Sequence, residues 1–256
     1  MAEETAAAGA FPTERPLFLH TLALRSSLRI LVLAPHPDDF DAIGVTLRWF
    51  RDNGNQISVA VLTGAASGVE DSFCSPPTDE HKAAIREQEQ RDSCVFFGLP
   101  SEGLTFPHLE EDASGSLADS PANATQIHRL LSKHRPDLIF MPHGNDTNTS
   151  HQRTCRICRE QIAELGHPAT LVLNRDPKTI EMRNDLFTLF GAQEAAWKGQ
   201  LLRCHRSQHQ RNLNTRNHGF DNRVLNVNWE IAQTYVKGRQ ADYAEAFELD
   251  PLGRYP

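Results

Sequence analysis

The chain has 256 residues, of which 39% are apolar, with a formal net charge of −7 and five cysteines. That length suits one large domain or two small ones. The acidic balance excludes gripping phosphate backbones as the main task, because that takes a basic surface. No stretch reaches the roughly 18 apolar residues of a membrane span. Met1–Glu14 is acidic and Ala-rich and lacks the basic start and apolar centre of a secretion signal. An odd set of cysteines (Cys74, Cys94, Cys155, Cys158 and Cys204) points to reduced thiols, and with the rest to a cytoplasmic protein.

Residues 1 to about 25 show no clear period and are expected to form a tail or irregular cover. Arg29–Leu33 is apolar without polar alternation, which predicts a buried parallel strand. A helix is expected from about Asp41 to Asp52, stopped by Asn53-Gly54. Gln56–Thr63 predicts a second strand, and the small-residue loop from Gly64 to Gly68 follows its carboxyl end. Next come a helix over Thr78–Phe97 with Gly98 as its stop, a short strand near Gly103–Phe106 and a polar connection over Glu110–Ser120. A helix over Asn123–His134, a strand over Asp137–Met141, a helix from near His151 to Leu165 and a strand over Thr170–Leu173 complete the regular part. Strands alternating with longer helices predict a Rossmann-like α/β fold, a mostly parallel sheet with helices on both faces. Beyond Asp176 the pattern changes. Thr179–Phe190 reads as a further strand, Ala192–Arg211 as one long helix, Arg223–Val236 as another and Tyr243–Leu249 as an edge strand. With no repeat and no clean linker, one domain is expected over 1–256: a tail over 1–25, an α/β core over 26–176 and a C-terminal helical and edge-strand extension over 177–256.

The stretch Leu33-Ala34-Pro35-His36-Pro37-Asp38-Asp39-Phe40-Asp41-Ala42 lies between the first strand and its helix. In open α/β sheets, ligands bind at the carboxyl ends of the strands. One imidazole and three carboxylates in so short a turn repel one another unless a cation or a proton intervenes. Zn²⁺ accepts both ligand types and often keeps a position open. The plainer reading is a helix start, with Asp39 or Asp41 as N-cap. A second polar loop, Pro142-His143-Gly144-Asn145-Asp146-Thr147-Asn148-Thr149-Ser150-His151, follows the strand that should lie beside the first across the switch point. His36, Asp39 and one histidine of that loop would then make a three-ligand metal site, with Asp38 left over and aimed at the attacking water.

These residues resemble the PIG-L/LmbE family of zinc-dependent deacetylases of N-acetylglucosamine-containing compounds. The likeness extends over about Arg29–Phe247. Arg86-x-x-Glu89 is similar to the family's Arg-x-x-Glu helix, Lys198…His205-x-Ser207-Gln208 to its late helix and Tyr243-Ala244-Glu245-Ala246-Phe247 to its closing segment. The resemblance implies His36, Asp39 and His151 as metal ligands and Asp38 as general base. The metal would be Zn²⁺, with Fe²⁺, Mn²⁺ or Co²⁺ compatible with the same donors. The chain departs from the family where the residue after the Asp pair is Phe40. It departs again where Asn148-Thr149-Ser150 replaces a His-Pro-Asp whose histidine stabilises the transition state. Asn148 is then the expected oxyanion donor, and Asp146, His143 or His205 the candidates for the missing acid.

Arg86, Gly68, His143 and Asp146 are expected to contact substrate, although a surface ion pair for Arg86 and turn geometry for Gly68 are competing readings. His205 and His209 share a face of the expected helix, with His205 lining the cleft. Cys155-x-x-Cys158 is one pair without a second and reads as buried packing. Arg203, Arg206, Arg211, Arg216 and Arg223 read as a solvated helix face or as a receiver for an anionic group. The expected reaction is metal-dependent hydrolysis of an N-acyl amide, most simply the acetyl group of an amino sugar. Rivals are another acyl substrate (a thiol conjugate, lipid or antibiotic) and a catalytically weak carbohydrate-binding relative, which metal-dependent acetate release would exclude. A small-molecule substrate is expected, without nucleic acid, and a homo-oligomer is compatible with the sequence.

Overall fold

The computed structural model describes residues 11–252. Eight strands form one sheet: β1 (Leu17–Phe18), β2 (Arg29–Ala34), β3 (Gln56–Val61), β4 (Leu104–Thr105), β5 (Leu138–Pro142), β6 (Ala169–Asn174), β7 (Leu186–Phe190) and β8 (Tyr243–Leu252), in the order β1-β7-β8-β6-β5-β2-β3-β4. All neighbouring strands run parallel except at β8, which is antiparallel to both β6 and β7. The expected mostly parallel α/β sheet is therefore present. β2 shows why its sequence lacks polar alternation. Ile30, Val32 and Ala34 feed one core with Leu47 and Phe50 of α1 (Gly44–Asp52) and Phe97 of α2 (Asp79–Phe97). Leu31 and Leu33 feed the other core, with Ile127 and Leu131 of α3 (Pro121–His134) and Ile157, Cys158 and Ile162 of α4 (Thr149–Leu165). Both faces of the strand are covered, so both must be apolar. Cys155 and Cys158 pack in that second core as read from the sequence.

Four expectations need correction. Of the tail over 1–25, residues 1–10 lie outside the described residues, but Leu17–Phe18 pairs with β7 and Leu19 is fully buried. The sheet thus recruits the stretch as an edge strand. Only Leu186–Phe190 of the strand expected over Thr179–Phe190 is extended; Thr179 and Ile180 instead bond to the loop after β5, which serves the site below. The long helix over Ala192–Arg211 breaks at Cys204–His205 into α5 (Ala192–Arg203) and α6 (Arg206–Arg216). α7 (Phe220–Tyr235) follows. The C-terminal strand is not an edge. Ala244, Ala246, Phe247 and Leu249 are buried because β8 is threaded between β6 and β7.

β8 also fixes the start of α1. Glu245, 2% exposed, accepts from the backbone N–H groups of Val45 (3.2 Å) and Thr46 (2.8 Å), orphan donors of a helix whose N-cap Ile43 offers no side-chain bond. Lys198 of α5, fully buried, donates to Glu245 (2.7 Å), Asn228 (2.7 Å) and the Ala42 carbonyl (2.6 Å). Burial pushes its ammonium pKa down against the pull of Glu245. The turn between β2 and α1 is thus clamped at its far end by two distant elements.

Candidate metal centre

β2 and β5 pair in register Ile30↔Leu138, Leu31↔Ile139 and Val32↔Phe140, so their carboxyl-end loops emerge side by side. The turn after β2 presents His36, Asp38 and Asp39. His36 donates its backbone N–H to Asp39 Oδ2 (2.8 Å), and its Nδ1 lies 3.2 Å from the same oxygen. The loop after β5 is shaped by Asn148, the N-cap of α4. Its Oδ1 accepts from the N–H groups of Ser150 (2.9 Å) and His151 (3.3 Å). His151, fully buried in the first turn of α4, lies with Nε2 3.4 Å from Asp39 Oδ1.

One ligand atom each from His36, Asp39 and His151 falls within 4.8 Å of the others. Neither ring nitrogen of His151 makes a hydrogen bond, although both are buried. Such orphaned atoms are rare in native proteins, and a cation among these donors would satisfy Nε2. Two imidazoles and a carboxylate with room for a further ligand suit a catalytic divalent metal. On the other side of the ring, Nδ1 faces Asp146 Oδ2 (3.2 Å) and Asp176 Oδ2 (3.3 Å). These carboxylates hold the ring's orientation, as outer partners of metal-binding histidines do.

The protonation states follow from this crowding. Burial alone would lower the His151 pKa, but the charge of Asp39, the contact with Asp146 and the charge of Asp176 raise it to about 10. Burial would raise Asp39, yet His151 and His36 hold it well below the usual carboxylate range. Burial pushes His36 down, against Asp39, with His151 and Lys178 adding to the fall. Burial and the neighbouring Asp146 push Asp176 up to about 6 against the pull of His151.

Asp38 has a φ of 103°, left-handed for a residue with a side chain. Its N–H donates to Gln90 Oε1 (3.0 Å), its carbonyl accepts from Asp41 (3.1 Å) and Ala42 (3.2 Å), and Arg86 donates both to its carboxylate (2.7 Å) and to the Pro37 carbonyl. Arg86 is 3% exposed, so the surface ion-pair reading fails. Gly68 has no room for a Cβ because Arg86 and Gln208 crowd it, which makes close approach the reason for this glycine. His36, Asp38, Asp39, Arg86, Gly68 and Asn148 line one cavity of about 190 Å³.

Three expected site residues lie elsewhere. His205 is fully buried behind the turn, with Nε2 2.7 Å from Asp41 Oδ2, and does not line this cavity. The break at Cys204–His205 makes it the N-cap of α6, and its side chain diverges from that of His209, which faces Asp221 (3.3 Å). Burial would lower the His205 pKa, but Asp41 raises it. Asp41 is thus the partner of His205 and not an N-cap. His143 turns to Glu248 of β8 (3.4 Å) and does not line this cavity. Asp146 is fully buried and touches His151 instead of the cleft. Sequence reasoning missed Asp176 and Lys178. Their loop is zipped to the loop after β5 by Thr147 N to Lys178 O (3.1 Å) and Ile180 N to Asn145 O (2.9 Å). Their signal was position, just past the carboxyl end of β6.

Residues 31–162 match the family model described as PIG-L, GlcNAc-PI de-N-acetylase. No curated protein sequence matches the chain. Among solved structures, an N,N'-diacetylchitobiose deacetylase from Pyrococcus horikoshii has a TM-score of 0.70 at 18% identity, over 87% of this chain and 83% of its own. The A40926 pseudoaglycone deacetylase has a TM-score of 0.64 at 17% identity, over 88% of this chain and 98% of its own. A 4-carboxy-2-hydroxymuconate hydratase from Pseudomonas putida has a TM-score of 0.61 at 14% identity, over 89% and 96%. At these identities the structures speak for the fold, which deacetylases and a hydratase share.

Proposed function

The chain belongs to the PIG-L family of GlcNAc-PI de-N-acetylases, and on that premise we propose that it is a metal-dependent hydrolase of a linear amide, removing the acetyl group of an N-acetylglucosamine-type sugar or its conjugate. The observation that carries the reading is the convergence of His36, Asp39 and His151 from adjacent strand ends, with Asp38 beside them and open to the same cavity. His36, Asp39 and His151 would hold the metal. When bound it would polarise the acyl carbonyl and make a water acidic near neutral pH. Zn²⁺ fits the donor set best, and Fe²⁺, Mn²⁺ and Co²⁺ share it.

This chain's residues then divide the work. Asp38, held by Arg86 and Gln90, accepts the proton of the attacking water as its oxygen adds to the acetyl carbon. The developing oxyanion needs donors. Asn148 spends its side-chain oxygen on the N-terminus of α4, which leaves its amide hydrogens to offer. Asp38 returns the proton to the leaving nitrogen. Arg86 and Gly68 form the wall against which the sugar is seated.

The test is elemental analysis of the wild type and a His36→Ala/His151→Ala variant, followed by an amine-release assay on N-acetylglucosamine and diacetylchitobiose. The expected result is about one equivalent of metal, lost in the variant, with amine released only by the loaded wild type. Equal metal in the two proteins would refute the shared centre. Metal without release from any N-acyl sugar would refute the deacetylase.

A further inference from the structure

A second cavity, of about 160 Å³, adjoins the first and shares Asp38, Asp39, Lys178, Gln208 and Arg211 with it. Its remaining wall includes Arg216 and Arg223. Three guanidinium groups and an ammonium thus meet beside the metal centre of a protein whose net charge is −7. The neighbouring arginines of the same run are neutralised: Arg203 pairs with Asp221 (2.7 Å) and Arg206 with Asp92 (3.7 Å). The four around the cavity form no salt bridge among the described residues. Among the described residues, Arg211 donates only to the Gly68 carbonyl (3.3 Å) and Arg216 only to the Thr215 hydroxyl (2.9 Å). The carboxylates in the wall are already engaged. Asp38 is held by Arg86, Asp39 by the two histidines and Asp176 by His151.

Clustered like charges are unfavourable, and at Arg223 their effect adds to that of burial. Burial, then Arg216, lowers its pKa, with Asp176 and Asp38 pulling the other way and Arg211 adding to the fall. A guanidinium cluster in a cleft is what recognition of phosphate or carboxylate requires. None of Lys178, Arg211, Arg216 and Arg223 lies in the residues that the family model matches, 31–162.

We propose that Lys178, Arg211, Arg216 and Arg223 form an anion subsite that selects substrates whose amino sugar carries a phosphate or carboxylate group next to the ring. This rests on the deacetylase reading of the adjoining centre. The subsite reads the substituent while the metal centre handles the acetyl group, so discrimination falls on kcat/KM between anionic and neutral glycosides.

The experiment compares amine release from N-acetylglucosamine 1-phosphate, the carboxymethyl glycoside of N-acetylglucosamine and its neutral methyl glycoside. It uses metal-loaded wild type, Arg216→Gln and Arg216→Gln/Arg223→Gln. The wild type is expected to favour at least one anionic substrate by roughly tenfold to a hundredfold, the range of one or two charge-assisted hydrogen bonds. The phosphate and carboxymethyl arms tell which anion it is. The preference should shrink in the single variant, where the exposed Arg216 leaves folding undisturbed, and approach one in the double variant. Equal rates on anionic and neutral substrates in the wild type, or a preference that survives the double variant, would overturn the subsite while leaving the deacetylase standing. If no glycoside releases amine, calorimetric titration with N-acetylglucosamine 1-phosphate decides separately. Binding lost in the double variant upholds the subsite, and no binding to the wild type overturns it.

Discussion

Asp38 is held where a side-chain residue rarely sits, at φ 103°, by two side chains of α2, Gln90 on its N–H and Arg86 on its carboxylate, besides the backbone bonds to its carbonyl. A left-handed conformation of this kind costs about 1–3 kcal/mol and persists only when its surroundings over-determine it. Arg86 is therefore a positioning residue for Asp38. Arg86→Gln is expected to lower kcat by roughly tenfold to a hundredfold, as loss of an outer partner does, with metal content unchanged. Asp38→Asn should abolish turnover and also keep the metal. Loss of metal in Arg86→Gln, or full kcat, would place Arg86 outside this chain of contacts. At this scale the contiguous residues were the legible ones. His36, Asp38 and Asp39 stand together in one turn, and their chemistry can be read from their crowding. Asp176 carries no signal beyond its place just past the end of β6, because its partner His151 is brought to it by a loop-to-loop pairing. His205 was misread for the converse reason. It has the look of a cleft histidine on a helix face, but a break in that helix sends it to Asp41.

Among the elements, α6 is the one whose presence hydrophobic burial does not explain. Its residues Ser207, Gln208 and Asn212 are buried, while its leucine, Leu213, is 39% exposed. It is anchored by polar contacts. Glu89 of α2, 1% exposed, accepts from the N–H (2.7 Å) and the hydroxyl (2.7 Å) of Ser207 in the first turn of α6, and Gln208 donates to the Gly68 carbonyl (2.8 Å). A carboxylate at a helix N-terminus meets both orphan amides and the helix dipole. Glu89→Gln replaces one acceptor oxygen by a donor against those groups. It should lower stability by about 1–3 kcal/mol, the range for a buried charged hydrogen bond, read as a lower urea midpoint. Amides of Arg206–Arg216 should then exchange faster than those of α5. An unchanged midpoint with unchanged exchange would mean that α6 is held by something else. Such an element is hard to see in a sequence, because amphipathic periodicity marks only helices that bury an apolar stripe. The helices stopped by a left-handed glycine, Gly98 after α2 and Gly166 after α4, were legible to within a residue or two, and the break between α5 and α6, which has no glycine, was not. The place of β8 was equally hidden. Its residues specify a strand, but which two strands receive it is decided by the whole sheet.

For the whole molecule, the metal centre ties the turn after β2 to the start of α4, segments far apart in the chain that meet only in the fold. A cation bound there binds the native state and not the unfolded chain, so it stabilises by RT ln(1 + [M]/Kd), about 2.7 kcal/mol at a hundredfold excess over Kd. For a chain of this size that is a Tm rise of roughly 5–10 °C over chelator-treated protein. The rise should be absent in His36→Ala/His151→Ala. Its pH dependence follows from His151. The folded pKa of the metal-free ring is raised from 6.5 to about 10. The proton it holds therefore stabilises the metal-free protein fully below pH 6.5, and that contribution fades as pH climbs towards 10. A metal needs the neutral ring and must displace this proton, so its affinity increases with pH over the same window. Displacing that one proton costs less as pH rises, so the gap between loaded and metal-free protein widens from pH 6 to pH 8. Measured by differential scanning calorimetry at fixed metal excess, a gap that narrows with rising pH, or one that persists in the double variant, would show that the cation binds elsewhere than between His36, Asp39 and His151.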